Sequence, residues 1–329
     1  MKKVLVTGVA GFIGSYISNK LLDNNYEVIG IDNLNDYYNN HLKEDRIKNI
    51  KNDYFIFIKE DLINKDKIIN IFNKYKPDIV IHLAAYAGVR YSIENPDIYI
   101  KNNILVFNNI ISISKDFNVK HFIFASSSSV YGNSEAISYS EDLDANKPES
   151  IYAATKKCDE VLAYTYSSLY NMPVTGLRFF TVYGPYGRPD MAYFNFTNKL
   201  INNEKIYLYN NGNMKRDFTY ITDIINGIYN IVINKPKGLF NIYNIGSSKP
   251  YTLIEFINIL KKELKLNNLV PEDYDLDSLI EYTDMKKGEV YSTCADITKI
   301  KNDFGYKVEY TLEKGIHEFI KWYKDYYNK

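Results

Sequence analysis

Lys3-Val-Leu-Val-Thr-Gly8-Val-Ala-Gly11-Phe-Ile-Gly14 is the stretch that decides the fold. A short apolar, β-branched run leads straight into three glycines, and a helical pattern opens at Phe12. Strand, turn and helix in that order bring backbone N–H groups and the positive end of a helix dipole to one point, which suits a pyrophosphate. Gly8 permits the tight turn, Gly11 lets the backbone approach a phosphate, and Gly14 lets helix pack on strand. The spacing is G-x-x-G-x-x-G, not G-x-G-x-x-G. The next strand-like run, Glu27–Ile31, ends at Asp32, 18 residues beyond Gly14. A carboxylate there accepts hydrogen bonds from a ribose diol and repels a 2′-phosphate, so the unit reads as a site for NAD in preference to NADP.

The same rhythm continues outward. Tyr54–Ile58, Asp78–His82, Lys120–Ala125 and Val174–Phe179 read as strands. Phe12–Asn24, Asn64–Tyr75, Pro96–Phe117 and Ile151–Tyr170 read as helices. The continuous apolar runs Ile79-Val-Ile81 and Phe122-Ile-Phe124 fit strands covered on both faces. Alternation of this kind implies crossover units and an α/β fold, a Rossmann-like doubly wound parallel sheet. After residue 180 the pattern loosens into shorter elements separated by turns, and helical patterns at Thr252–Leu266 and Thr311–Tyr326 close the chain. The expected division is a dinucleotide-binding domain over 1–180 and a smaller α/β substrate-binding region over 181–329. Residues 218–246, with the strand-like Phe240–Ile245, are candidates to pack back onto the first domain.

A length of 329 residues fits two domains. Lys plus Arg and Asp plus Glu are both 40, so no bulk charge drives binding to nucleic acid or an anionic membrane. No apolar run approaches the ~18 residues of a membrane span. Cys158 and Cys294 are far apart and the four histidines are scattered, which argues against a metal site or a disulfide framework and for a cytoplasmic setting.

Tyr152 and Lys156 stand four apart in one helical pattern and so share a face. An ammonium beside a phenol favours the phenolate, which makes Tyr152 a candidate general base. Tyr16/Lys20, Tyr282/Lys286 and Tyr310/Lys314 have the same spacing. Context selects Tyr152, because it follows the strand whose carboxyl end carries Ser126-Ser-Ser-Ser129, where ligand crevices open. His82, inside an apolar strand, reads as a satisfied core histidine.

Taken together, these motifs resemble those of extended short-chain dehydrogenase/reductases, and within them UDP-glucuronate 4-epimerases. The resemblance runs from residue 1 to about residue 325. Its specific blocks include Gly30–Tyr38, Ala87–Pro96, Ala125–Gly132, Tyr152–Lys157, Thr175–Pro185, Gly187–Met191 and Met214–Tyr220. It implies NAD as a bound cofactor, with Tyr152, Lys156 and Ser127 as catalytic residues. It implies cofactor contacts from Gly8, Gly11, Phe12, Ile13, Gly14, Asp32, Asn33, Asp61, Leu62, Leu83, Ala84, Ala85, Asn103 (with Asn102 a near-equal candidate), Ser126, Tyr152, Lys156 and Phe179. It implies UDP-sugar contacts from Arg90, Ser127, Ser128, Ser129, Thr181, Arg188, Arg216 and Lys286. It also implies a homodimer joined through helices 96–117 and 151–170.

Sister families share this scaffold. Related 4,6-dehydratases place Asp-Glu where this chain has Ser128-Ser129, and UDP-glucuronate decarboxylases carry Glu at the Ser129 position. Galactose-type epimerases usually carry Asn at the Thr181 position. These departures favour a uronate as the sugar. Open alternatives are a UDP-glucose or UDP-N-acetylglucosamine 4-epimerase, a UDP-glucuronate decarboxylase, and a non-catalytic NAD-binding regulator. Arg188 reads equally as a lid residue and as the cap of the helix that follows it.

Overall fold

The computed structural model describes residues 1–285 and 290–329. Lys286, expected at the substrate, lies outside the described residues.

The described residues form twelve strands: β1 (Lys3–Thr7), β2 (Glu27–Asp32), β3 (Phe55–Lys59), β4 (Ile79–His82), β5 (His121–Ser127), β6 (Val174–Phe179), β7 (Thr181–Tyr183), β8 (Ile206–Tyr209), β9 (Lys215–Tyr220), β10 (Phe240–Ile245), β11 (Pro250–Thr252) and β12 (Ile280–Thr283). Seven form one sheet in the order β3-β2-β1-β4-β5-β6-β10, and every pairing in it is parallel. Strand β1 has β2 on one side and β4 on the other, so the crevice opens at its carboxyl end.

Alternation along β1 feeds two cores. Val4 and Val6 belong to the larger apolar cluster, while Leu5 packs with Val80, Phe122 and Phe124 on the opposite face. This two-sided burial is why these strands read as unbroken apolar runs. The strand-like segment at 240 does rejoin the sheet: β10 runs beside β6 in the register Phe240↔Val174 to Ile245↔Phe179. The helix Ile221–Ile233 packs on the first helix, Phe12–Leu22.

The second half also builds a three-stranded sheet, β7-β9-β11, and a parallel pair, β8 with β12. The helix expected over 96–117 is present as Pro96–Tyr99, a π-helical stretch Ile100–Leu105 and Val106–Asp116. A helix at Asn40–Lys48 was not expected, because its composition is polar with no clean apolar period. No described helix is long and apolar enough to cross a membrane.

Candidate active site

A cleft of about 860 Å³ runs along the carboxyl ends of β1, β2, β4, β5 and β6 and under the segments that follow β6. At its floor Gly8 has φ of +71°, and a Cβ there would stand 2.8 Å from the Ala84 backbone nitrogen. A Cβ on Gly14 would meet the Gly8 carbonyl oxygen at 2.2 Å. Only glycine lets the turn, the helix and the loop after β4 approach this closely. No side chain caps the helix Phe12–Leu22. Its first N–H groups have no carbonyl partner within the helix, and Gly11, Phe12, Ile13 and Gly14 line the cleft. This is a donor set for a pyrophosphate.

Asp32 closes the unit. Its Oδ2 accepts from Ala10 N at 3.0 Å and its Oδ1 from Leu34 N at 2.9 Å. Burial pushes its carboxyl upward, opposed by those N–H groups and by Lys43 and Arg46. Asn33 donates to Asp61 Oδ2 at 3.3 Å, which ties the loops after β2 and β3. The glycine cradle, the uncapped helix end and Asp32 fit a dinucleotide bearing a free ribose diol.

Lys43 is a cleft residue that the sequence reading missed. It is buried, its ammonium donates to Asn35 Oδ1 at 2.7 Å, and it lies 4.6 Å from the Tyr38 ring centre. Burial lowers its pKa to about 8, against the pull of Asp32. The available signal was a lysine on the loop side of a strand-terminal carboxylate, masked by an unrecognised helix.

The other wall is the helix Ile151–Tyr170, whose N-cap Ser150 accepts from Ala153 N at 3.1 Å. Tyr152 and Lys156 both line the cleft, and the Tyr152 ring meets Tyr99 edge-on at 6.2 Å. Lys156 Nζ donates to Asp159 Oδ2 at 3.1 Å. Ser127 Oγ accepts from Ser129 N at 3.2 Å and so caps the short turn Ser128–Tyr131, which keeps the three hydroxyls together at the cleft. Ser126 is different. Its hydroxyl points away and donates to Glu160 Oε1 at 2.6 Å, so its main chain is what remains for a ligand.

Asn33, Asp61, Leu62, Leu83, Ala84, Ala85, Phe179, Thr181, Arg90, Arg188 and Arg216 all line the same cleft. Asn103 lies behind this wall. It is 1% exposed, and its amide accepts from Tyr86 N at 2.9 Å and donates to Tyr86 O and Thr155 Oγ1, each at 3.0 Å. Its neighbour Asn102 takes the cleft position. Arg188 is a strap rather than a helix cap: it donates to Ala87 O and to both oxygens of Asp190. Tyr37 donates to the same Ala87 oxygen, at 3.0 Å. Arg90 lies over the Tyr209 ring at 4.6 Å, and Arg216 donates to Lys215 O at 2.9 Å. His82 is buried and bonded to Thr7 Oγ1 at 2.7 Å, and burial holds its pKa down to about 3. Among the described residues no cluster suited to a metal ion occurs.

A parallel sheet with a phosphate cradle at its switch point, facing a Tyr/Lys helix, defines the class of extended short-chain dehydrogenase/reductases. The sequence model of the GDP-mannose 4,6 dehydratase family matches residues 5–319, and the chain belongs to that family. Protein CapI of Staphylococcus aureus is 44% identical over 99% of this chain and 100% of its own. UDP-glucuronate 4-epimerase 1 of Arabidopsis thaliana is 39% identical over 98% of this chain and 77% of its own. The crystal structure of UDP-glucuronic acid 4-epimerase from Bacillus cereus, in complex with UDP-glucuronic acid and NAD, superposes with a TM-score of 0.90 at 33% identity. The match covers 99% of this chain and all of that one.

Proposed function

We propose that the protein is an NAD-dependent UDP-sugar 4-epimerase, an isomerase whose substrate pair is UDP-glucuronate and UDP-galacturonate. The relatives named for that activity support the reading. The observation that carries it is the meeting, in one cleft, of the glycine cradle, the Tyr152/Lys156 pair and a serine turn free of carboxylates.

In this reading Tyr152, as phenolate, accepts the proton of the sugar 4-hydroxyl, and Ser127 hydrogen-bonds the same oxygen. Lys156 shares the Tyr152 face of the helix and is placed to hold the nicotinamide ribose. Bound NAD supplies the acceptor, and then the donor, of the C4 hydride. Arg216 holds the diphosphate while the 4-keto sugar turns to present its other face. Tyr152 then returns the proton to the opposite epimer. The hydroxyls of Ser128, Ser129 and Thr181 take the C5 carboxylate as neutral donors. That holds the β-keto acid intermediate without adding a carboxylate that would repel it.

The enzyme is proposed to be a cytoplasmic homodimer. Val161, Tyr164 and Leu169 on the Tyr152 helix are 56%, 58% and 67% exposed, and Ile100 and Leu105 of the helical stretch in contact with it are also exposed. A surface of this kind is what a second copy would cover. Both cysteines are free, as suits a reducing compartment.

The test is incubation of the purified protein with UDP-glucuronate, without and then with added NAD, followed by proton NMR of the anomeric signals. Growth of UDP-galacturonate to an equilibrium mixture is expected. Turnover only of UDP-glucose or UDP-N-acetylglucosamine would overturn the uronate assignment. A UDP-pentose would show that Ser129 does not protect the intermediate.

A further inference from the structure

Tyr152, Lys156 and Asp159 stand at i, i+4 and i+7 of the helix Ile151–Tyr170 and therefore share one face. Tyr152 lines the cleft. Lys156 is 3% exposed and Asp159 is fully buried beneath it. Asp159 Oδ2 accepts from the ammonium at 3.1 Å, whereas Oδ1 is buried with no hydrogen-bond partner among the described residues. A carboxylate so placed depends on Lys156 for its stabilisation. In return it fixes where the ammonium sits.

Charges around the pair couple to it: the Glu160 carboxylate raises Asp159, and Lys156 acts on His82. Glu160, next on the same helix, is committed to Arg178 of β6 through two bonds of 2.8 Å. His82 of β4 faces Lys156 but is neutral near pH 7, because burial holds its pKa far down. Tyr99 packs on Tyr152 and donates its proton to Gly88 O at 2.8 Å. Strand β5 offers the hydroxyls of Ser126 and Ser127, and the stretch Ile100–Leu105 offers the Asn103 amide. Tyr91 of the helix Val89–Glu94 meets Tyr99, Asn108 meets Tyr166, and Phe240 of β10 meets Tyr164.

We propose that Asp159 is a positioning residue: it anchors the Lys156 ammonium in the cleft wall and offsets part of the positive charge that Tyr152 experiences. The mechanism is Coulombic. A cation near a phenol lowers its pKa, and a carboxylate on the far side of that cation restores part of the shift. Burial pushes the Asp159 carboxyl up to about 7, aided by the Glu160 carboxylate and against the pull of Lys156. The inference rests on Tyr152 acting as the base of the proposed epimerisation.

The test reads Tyr152 directly. Tyrosinate absorbance is titrated in NAD-saturated protein and in its Tyr152→Phe counterpart, and the difference isolates one phenol among 32 tyrosines. The pair is then repeated with Asp159→Asn in both. The Tyr152 midpoint is expected to fall by about half a pH unit or more, with the acidic limb of kcat/KM moving by the same amount. Asp159→Ser carries the same comparison should Asn at this site prevent folding. A midpoint unmoved within about 0.2 of a pH unit overturns the proposal, since a purely structural Asp159 would not alter it. A shifted midpoint in a protein that epimerises no UDP-sugar overturns the proposed function and leaves the role of Asp159 standing.

Discussion

Replacing Glu160 by Gln should lower stability sharply, and restoring apolar character at its partner should recover much of the loss. Glu160 and Arg178 are each 4% exposed and meet through two bonds of 2.8 Å, with Ser126 donating to the same carboxylate at 2.6 Å. Arg178 also lies over the Tyr131 ring at 4.6 Å. Removing one member leaves a buried guanidinium uncompensated, which costs about 3–5 kcal/mol. For a chain of this length that is a fall in Tm of about 4–7 °C. Burial opposes ionisation of Glu160, yet Arg178 and Ser126 outweigh it and hold its carboxyl below the ordinary value. A carboxyl lowered on folding contributes stability that is present above its unfolded pKa and lost as pH falls through its folded pKa. The gap between wild type and E160Q is therefore full at pH 7 and narrows below about pH 4. Circular dichroism melts across pH measure it. The double variant E160Q/R178M, which leaves no orphaned charge, should regain at least half of the lost Tm. A fall of less than about 2 °C in E160Q, or a double variant less stable than the single, would refute the reasoning.

Tyr152→Phe should cut kcat by at least about 10²–10³-fold, with UDP-sugar affinity in equilibrium dialysis little changed, since it removes the proton acceptor and leaves the ring. Gly14→Ala should yield protein without bound nucleotide, read from absorbance and chromatography of the denatured supernatant, because its Cβ would stand 2.2 Å from the Gly8 carbonyl. Tyr164→Lys combined with Leu169→Lys should give a monomer in sedimentation equilibrium, both side chains being more than half exposed on one helix. Ser129→Glu should depress turnover of UDP-glucuronate more than tenfold through repulsion between carboxylates, and unchanged turnover would remove Ser129 from the site.

The sheet and its cradle were legible because the signals are local. Glycine spacing, apolar runs covered on both faces and a carboxylate at a strand end are each set within a few residues. The site was legible only where a motif fixes register as well as type. Asn102 and Asn103 show the limit: adjacent residues on a helix point about 100° apart, and here the turn is π-helical, so a pattern cannot say which one faces the ligand. Ser126 looked like its neighbours but is drawn inward by Glu160, 34 positions along the chain. Arg188 depends on a carbonyl 101 positions away. Lys43 escaped because the buried face of its helix carries Lys43 and Arg46 beside Leu42, so charged residues break the apolar period.

The return of β10 to the large sheet also sets an order of events during synthesis. Strand β6 is complete at Phe179, but its hydrogen-bonding edge is covered only when Ile245 has been made, 66 residues later. All six of its residues are buried in the finished protein, so for that interval the nascent chain carries an open, apolar strand edge of the kind that pairs with neighbours. At ~5–20 residues per second the exposure lasts about 3–13 s. A ribosome that stalls between residues 180 and 240 would release a sheet still open on one side. Such fragments should aggregate or recruit chaperones, whereas a chain long enough for β10 to emerge and pair covers the β6 edge.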